Sequence, residues 1–178
     1  MINKNDLKIL LDETKIQTEI KILATILNDE YKNEELYLVC VLKGSVMFMT
    51  DLSKYLDMPL KMEFIRLSSY GNGFKSSGKV NAVDISLPDL NGKNILIVED
   101  IVDTGHTAKF LVDFINHNFK PKNLKFCSLL DKKIKREVVF EPDYYVFEID
   151  DKFLVGYGLD YEGYYRNLPY IGYIKMGE

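Results

Sequence analysis

The chain has 178 residues and a net charge of −4. That length suits one domain able to bury roughly 70% of its unfolded surface, and 47% apolar residues exclude a disordered chain, which has too few of them to build a core. The acidic balance argues against a sequence-independent nucleic-acid binder, which needs surplus Lys and Arg to displace counterions.

In chain order, the opening "MINKNDLKILLDETK" has no apolar run of signal-peptide length, and no stretch approaches the ~20 apolar residues that span a bilayer. A cytoplasmic protein with no membrane partner is expected. Asp12 is placed to cap a helix whose apolar face is Ile16, Ile20, Leu23 and Leu27, ending near Tyr31. "ELYLVCVLKGS" (35–45) reads as a buried strand stopped by Lys-Gly, "SVMFMTDLSKYL" as a helix, and "LKMEFIRLSSY" as a second strand. A polar loop rich in Gly and Ser comes next, over 71–79, then "VNAVDIS" as a strand or hairpin arm.

"ILIVEDIV" supplies the next strand, residues 107–118 a helix, and "NLKFCSLLD" another core strand. Cys40 and Cys127 sit inside apolar runs, where a free thiol behaves as a small hydrophobe. No CxxC spacing or Cys/His cluster suggests a metal or redox role. Nearly all-apolar strands alternating with helices indicate an α/β fold, a mostly parallel twisted sheet flanked by helices. From Val138 the texture changes to short aromatic strands, expected as a small C-terminal β-rich hood. The whole is read as a single domain, 1–178, with a core of about 12–135 and a hood of about 136–178 plus the N-terminal residues.

"GFKSSGK" (73–79) imitates a phosphate-binding loop, but Val80 stands where Ser or Thr should hold magnesium. Residues 80–86 look extended, whereas such a loop must open a helix. The turn at 98–107, "VEDIVDTGHT", is the stronger candidate. Ligands of open parallel sheets bind at the carboxyl ends of the strands, where Glu99 and Asp100 emerge. Asp103, Thr104, Gly105, His106 and Thr107 then turn into a helix whose first amides lack partners, and Gly105 permits a positive φ. That is a cradle for phosphate. The two carboxylates would repel phosphate and suit neutral hydroxyls such as a ribose diol, or Mg²⁺. A phosphate at one end and a diol beside it describe a ribose 5-phosphate. An acidic strand end before an ordinary capped helix would explain Glu99 and Asp100 alone, but not Asp-Thr-Gly and Thr107 together.

"VEDIVDTGHT" resembles the phosphoribosyl diphosphate motif of the purine phosphoribosyltransferases. "VLKGS", "SSYG", "SLLDK" and "DKFLVGYGLDY…YRNLP" occur in the order found in the hypoxanthine-guanine phosphoribosyltransferases, covering the chain from the first helix to Tyr173. The resemblance implies a type I phosphoribosyltransferase fold and Mg²⁺-dependent transfer of a phosphoribosyl group from 5-phosphoribosyl 1-diphosphate to N9 of a 6-oxopurine, giving IMP or GMP and pyrophosphate. It implies that Glu99 and Asp100 bind the ribose hydroxyls, that 103–107 hold the 5′-phosphate, and that Asp103 acts as general base or acid at N7.

By the same resemblance Lys43, Gly44 and Arg166 contact pyrophosphate, and the Leu42-Lys43 peptide can be cis. Lys132 donates to the 6-oxo group, Phe153 stacks on the base, Leu154 contacts it through its backbone, and Asp160 binds the magnesium carried by pyrophosphate, with Glu99 and Asp100 as further candidates. Ser69 and Tyr70 belong to a lid over the reacting centre. Taken alone, Lys132 reads as a solvated surface lysine and Phe153 as core. Adenine presents a donor to Lys132 and should be rejected by up to ~10⁴.

His106 stands where the family varies, often with Lys, and is expected to add weak, pH-dependent attraction for phosphate. A homodimer or homotetramer is implied. The competing readings are a transferase for xanthine or a pyrimidine, and an RNA-binding regulator sharing the motif, against which the acidic charge and the set Lys132, Phe153 and Asp160 count.

Overall fold

The computed structural model describes residues 7–69, 80–84 and 86–174. Its centre is a six-stranded sheet of order β4-β3-β2-β5-β6-β7, built from β2 (Leu36–Leu42), β3 (Leu60–Ser69), β4 (Val80–Asp84), β5 (Asn94–Val102), β6 (Asn123–Asp131) and β7 (Tyr144–Glu148). β3, β2, β5, β6 and β7 run parallel, and β4 closes one edge antiparallel to β3.

Along β2, alternate residues feed two separate cores. Leu36, Leu38 and Cys40 pack with α1 (Glu13–Glu30) and α2 (Val46–Ser53), while Tyr37, Val39 and Val41 pack with α3 (His106–Asn118). Both faces are covered, so the strand must be apolar throughout, as expected of a parallel sheet. The chain leaves β2 toward β3 on one side and, after β5, proceeds to β6 and β7 on the other. The switch between β2 and β5 opens a crevice at their carboxyl ends, the position that binds ligands in such sheets.

α1 is capped as expected, Asp12 accepting a hydrogen bond from the Lys15 amide, and it ends at Tyr31. α3 begins at His106, one residue earlier than periodicity indicates, because Gly105 takes a left-handed φ of 88° as its cap. Cys40 and Cys127 are free and fully buried. Residues 70–79, with Tyr70 of the expected lid and all of the imitation phosphate loop, lie outside the described residues. Ser68 and Ser69, in the stretch read as the second strand, continue β3 and pair with Asn81 and Val80. From position 80 the chain forms a strand, not the helix a phosphate loop requires.

The hood differs from the sequence reading. It is a three-stranded antiparallel sheet of order β1-β9-β8, formed by β1 (Leu7–Leu11), β8 (Leu154–Val155) and β9 (Ile171–Ile174). β7 does not belong to it, because β7 extends the main sheet parallel to β6, with Cys127 opposite Tyr144 and Asp131 opposite Glu148. The core therefore continues past 135 to about 148. Its aromatic texture misled because an edge strand needs only one apolar face. Tyr144 and Val146 pack on the core that contains α1, and the Phe126 amide donates to Asp143 at 2.8 Å, fixing the register.

Two polar contacts and two glycines seat the hood on the core. The Tyr157 hydroxyl donates to Asp51 of α2 at 2.7 Å, and Gln17 of α1 donates to the same carboxylate. Gly156, Tyr157 and Gly158 all have positive φ. A Cβ on Gly158 would lie 1.9 Å from the carbonyl oxygen of Gly44, and one on Gly44 would lie 1.5 Å from a carboxylate oxygen of Asp100.

Gly158→Ala should therefore cost at least about 2 kcal/mol more than Gly163→Ala in urea denaturation. Gly163 shares the positive φ, but nothing lies within 4 Å of its would-be Cβ. Equal losses would show that backbone conformation matters there and the close approach does not.

Candidate active site

β5 ends in the crevice, and Glu99, Asp100, Asp103, Thr104, Gly105 and Thr107 line one cavity of about 250 Å³ there. Gly105 bends the chain so that the first amides of α3 face this space, where an anion gains from several donors together. The His106 side chain is not part of the lining. Its Nε2 lies 3.0 Å from a Glu137 carboxylate oxygen, so its contribution at the cradle is its backbone.

The carboxylates are electrostatically unusual. Glu99 is 8% exposed. Burial, then the neighbouring Asp100 charge, holds its carboxyl well above the usual range. Asp100 is raised as well by burial, while hydrogen bonds from Glu99 and the Ile101 amide, and the Arg166 charge, oppose the shift. Both shifts have the same direction, so ionising the two acids together is disfavoured. Glu99 Oε2 has no hydrogen-bond partner in the protein, and neither does Asp103 Oδ1; both are buried. Buried polar atoms seldom stay unpaired, so these two are the atoms most in need of a ligand.

Gly44 abuts Asp100, and the Leu42-Lys43 peptide before it is cis. Lys43 is exposed. Above them Arg166 Nη2 lies 2.6 Å from Asp160, and its Nη1 donates to the Gly158 carbonyl at 2.6 Å. Asp160 also accepts from the Gly163 amide at 2.7 Å. The two residues expected to meet pyrophosphate and its metal are therefore paired with each other. Among the described residues no group of three or more His, Cys, Asp or Glu could hold a metal ion.

Lys132 is not the solvated lysine its local sequence suggests. It is 6% exposed, its amide donates to Val102 at 2.9 Å, and its ammonium lies 3.4 Å from Asp151. Phe153 is half-buried and meets Tyr161 edge-on, with centroids 5.7 Å apart, while Leu154 is buried in β8. Ser69 ends β3, and Tyr70 is outside the described residues. Sequence reasoning missed Asp151, which also binds Lys135 at 2.9 Å, and Arg136, which binds the Asp103 carbonyl and the buried Asp131. Arg136 was concealed in a basic run, "KKIKR", that reads as a charged surface turn.

A family model described as "Phosphoribosyl transferase domain" matches residues 6–162. The hypoxanthine-guanine phosphoribosyltransferase of Bacillus subtilis is 43% identical over 173 residues, 97% of this chain and 96% of that protein. A bifunctional protein, TilS/HprT, of Listeria innocua is 46% identical over 172 residues, 96% of this chain; the chain spans only 26% of that relative's length. The crystal structure of a hypoxanthine phosphoribosyltransferase from Staphylococcus aureus is similar with a TM-score of 0.91 at 42% identity, covering 96% of this chain and 93% of that one.

A raised carboxyl in the folded state has a defined signature. Between the ordinary carboxylate range and the raised value, the folded protein holds a proton that the unfolded chain has released, so stability falls as pH rises through that window. Glu99→Gln removes this loss. The ligand-free variant should match the parent in denaturant midpoint near about pH 4 and exceed it at higher pH, the gap growing until the folded carboxyl itself ionises. A gap that does not grow with pH would mean that Glu99 is an ordinary ionised carboxylate.

Proposed function

This chain belongs to the phosphoribosyl transferase family, on its hypoxanthine-guanine branch, and from that premise we propose that it transfers phosphoribosyl from 5-phosphoribosyl 1-diphosphate to N9 of hypoxanthine or guanine. The observation that carries the reading is the cavity at the end of β5, where two buried carboxylate oxygens without protein partners flank a left-handed glycine turn into α3.

In this reading the 5′-phosphate sits on the amides and hydroxyls of 104–107. Glu99 and Asp100 accept from the ribose hydroxyls, and the burial that disfavours ionising both reduces repulsion of the phosphates. The bond between C1′ and the pyrophosphate oxygen breaks, the N9–C1′ bond forms, and the purine N7 proton passes to Asp103. Lys43, the Gly44 amide and Arg166 oppose the charge that grows on pyrophosphate.

Mg²⁺ is the metal we assign, and when bound it neutralises charge on the donor's diphosphate. Asp160 is its first candidate ligand, with the ribose pair Glu99 and Asp100 as further candidates. A magnesium that arrives with substrate phosphates keeps several waters and takes only one or two carboxylates, so a site without a dense acidic cluster fits it. Arg166 must then give up part of its hold on Asp160 as the diphosphate enters.

Lys132, nearly buried and facing a carboxylate, suits a 6-oxo acceptor, with Phe153 against the ring and Leu154 beside it. Ser69 and Tyr70 would belong to the lid. Buried free thiols at Cys40 and Cys127 fit the cytoplasm, a reducing compartment. A homodimer or homotetramer is part of the same proposal.

Purified protein with donor and Mg²⁺ should convert hypoxanthine and guanine, followed spectrophotometrically, while adenine should be poorer in kcat/KM by ~10²–10⁴. No turnover of either 6-oxopurine would refute the proposal, and turnover of xanthine or a pyrimidine alone would move it to another member of the family.

Asp103→Ala should lower kcat by ~10²–10⁴ with donor KM changed little. A variant of near-parental kcat would remove Asp103 as the proton acceptor.

A further inference from the structure

Asp103 carries the catalytic proposal, yet its own carboxylate does not explain how it is aimed, because its buried Oδ1 has no partner in the protein. Its main chain, in contrast, is held from outside the loop. Arg136, beyond β6, donates from Nη1 to the Asp103 carbonyl at 3.0 Å, while Nη2 pairs with the carboxylate of Asp131, a residue with no exposed side-chain surface. The Arg136 chain also lies against Gly105, its Cδ 2.9 Å from where a Cβ would stand. Two backbone bonds flank this contact, Lys132 N to Val102 O and Glu137 N to Thr104 O, both 2.9 Å. The segment 132–137 is thus fastened to 102–105 at three successive points, and the middle one is a side chain.

The geometry of the ion pair shows what the guanidinium is for. Asp131 Oδ2 and Arg136 Nε are both buried without a protein partner. A side-on, bidentate pairing through Nε and Nη2 would satisfy both. Instead the fork is turned so that its other arm reaches the Asp103 carbonyl, and the pair gives up a hydrogen bond to do so. Buried ion pairs often add little net stability over apolar replacements, so stability is a weak reason for this arrangement. Lysine could not substitute, since one ammonium lacks a planar fork spanning two fixed acceptors.

We propose that Arg136 is a positioning residue, which fixes the main chain at Asp103 and so aims its carboxylate at the purine. The proposal rests on the reading of Asp103 as the proton acceptor. It also gives Asp131 a role, as the anchor that turns the guanidinium, and links the turn carrying Lys132 to the residue that receives the proton.

Arg136→Met alone leaves Asp131 buried and uncompensated and would be destabilised for that reason. The informative protein is the double variant Asp131→Leu with Arg136→Met, in which both partners become apolar. Its thermal midpoint should return to within a few degrees of the parent, while kcat for IMP formation remains at least thirtyfold down with KM for donor and hypoxanthine within threefold. Arg136→Lys should retain the anchor and recover only part of kcat. If kcat returns with stability in the double variant, or if the loss lies in donor KM, the positioning role is wrong.

Amide hydrogen exchange of the ligand-free proteins separates this from the functional reading. The amides of Lys132, Glu137 and Lys109, which bond the carbonyls of Val102, Thr104 and Gly105, should exchange at least tenfold faster in the double variant while α1 and β2 are unchanged. Unchanged exchange at these three amides overturns the positioning role whether or not the parent uses 6-oxopurines.

Discussion

The arrangement depends on one close stack, in which the Asp100 carboxylate, Gly44 and Gly158 lie so near one another that neither glycine could carry a side chain. These residues come from three places: the end of β5, the turn after β2, and the loop behind β8. Their contact brings the acidic strand end under the turn at Lys43 and Gly44 and sets the hood over both. Arg166 is held there by a bond to the Gly158 carbonyl, and it pairs with Asp160, which also accepts from the Gly163 amide. A side chain at position 44 or 158 would separate the layers by more than an ångström, enough to break hydrogen bonds that require about 2.7–3.2 Å.

That proximity has an electrostatic consequence. Glu99 and Asp100 sit at the end of a buried strand, where loss of hydration raises both carboxyls, so they cannot both ionise at ordinary cost. The Arg166 charge, delivered through the same stack, favours Asp100 as the ionised member. Seating the hood therefore bears on the protonation of the pair proposed to bind ribose.

Much of this was legible in the sequence because the signals were local. The period of Ile16, Ile20, Leu23 and Leu27, the Asp12 cap and the uniform burial of β2 arise from side-chain chemistry over a few residues. The turn at 99–107 was legible for the same reason, since strand, acids and glycine are contiguous. Three features were not. β7 looked like the hood because aromatic edge strands of either sheet share one pattern, and only pairing decides between them. Lys132 looked exposed because its burial comes from the distant segment around Asp151. Arg136 looked like one more surface cation because its two acceptors, on Asp131 and Asp103, converge only after β5 and β6 pair.

The ligand-free site also divides by how its groups are satisfied. Lys132, Arg166 and His106 each face a carboxylate, of Asp151, Asp160 and Glu137, whereas Glu99 Oε2 and Asp103 Oδ1 face none of the protein's donors. For Lys132 and Arg166, ligand binding is an exchange of one acceptor for another, so its net gain is the difference between two interactions and not the full cost of an unpaired buried charge. If Lys132 selects the purine as proposed, its discrimination is limited accordingly. A purine that fails to accept from the ammonium leaves Asp151 available, and the penalty lies below what an isolated buried lysine would impose. The two unpaired acids have no such fallback. On the proposed assignment, filling them concentrates binding energy on the ribose hydroxyls and on the purine proton, the groups nearest the bonds that change.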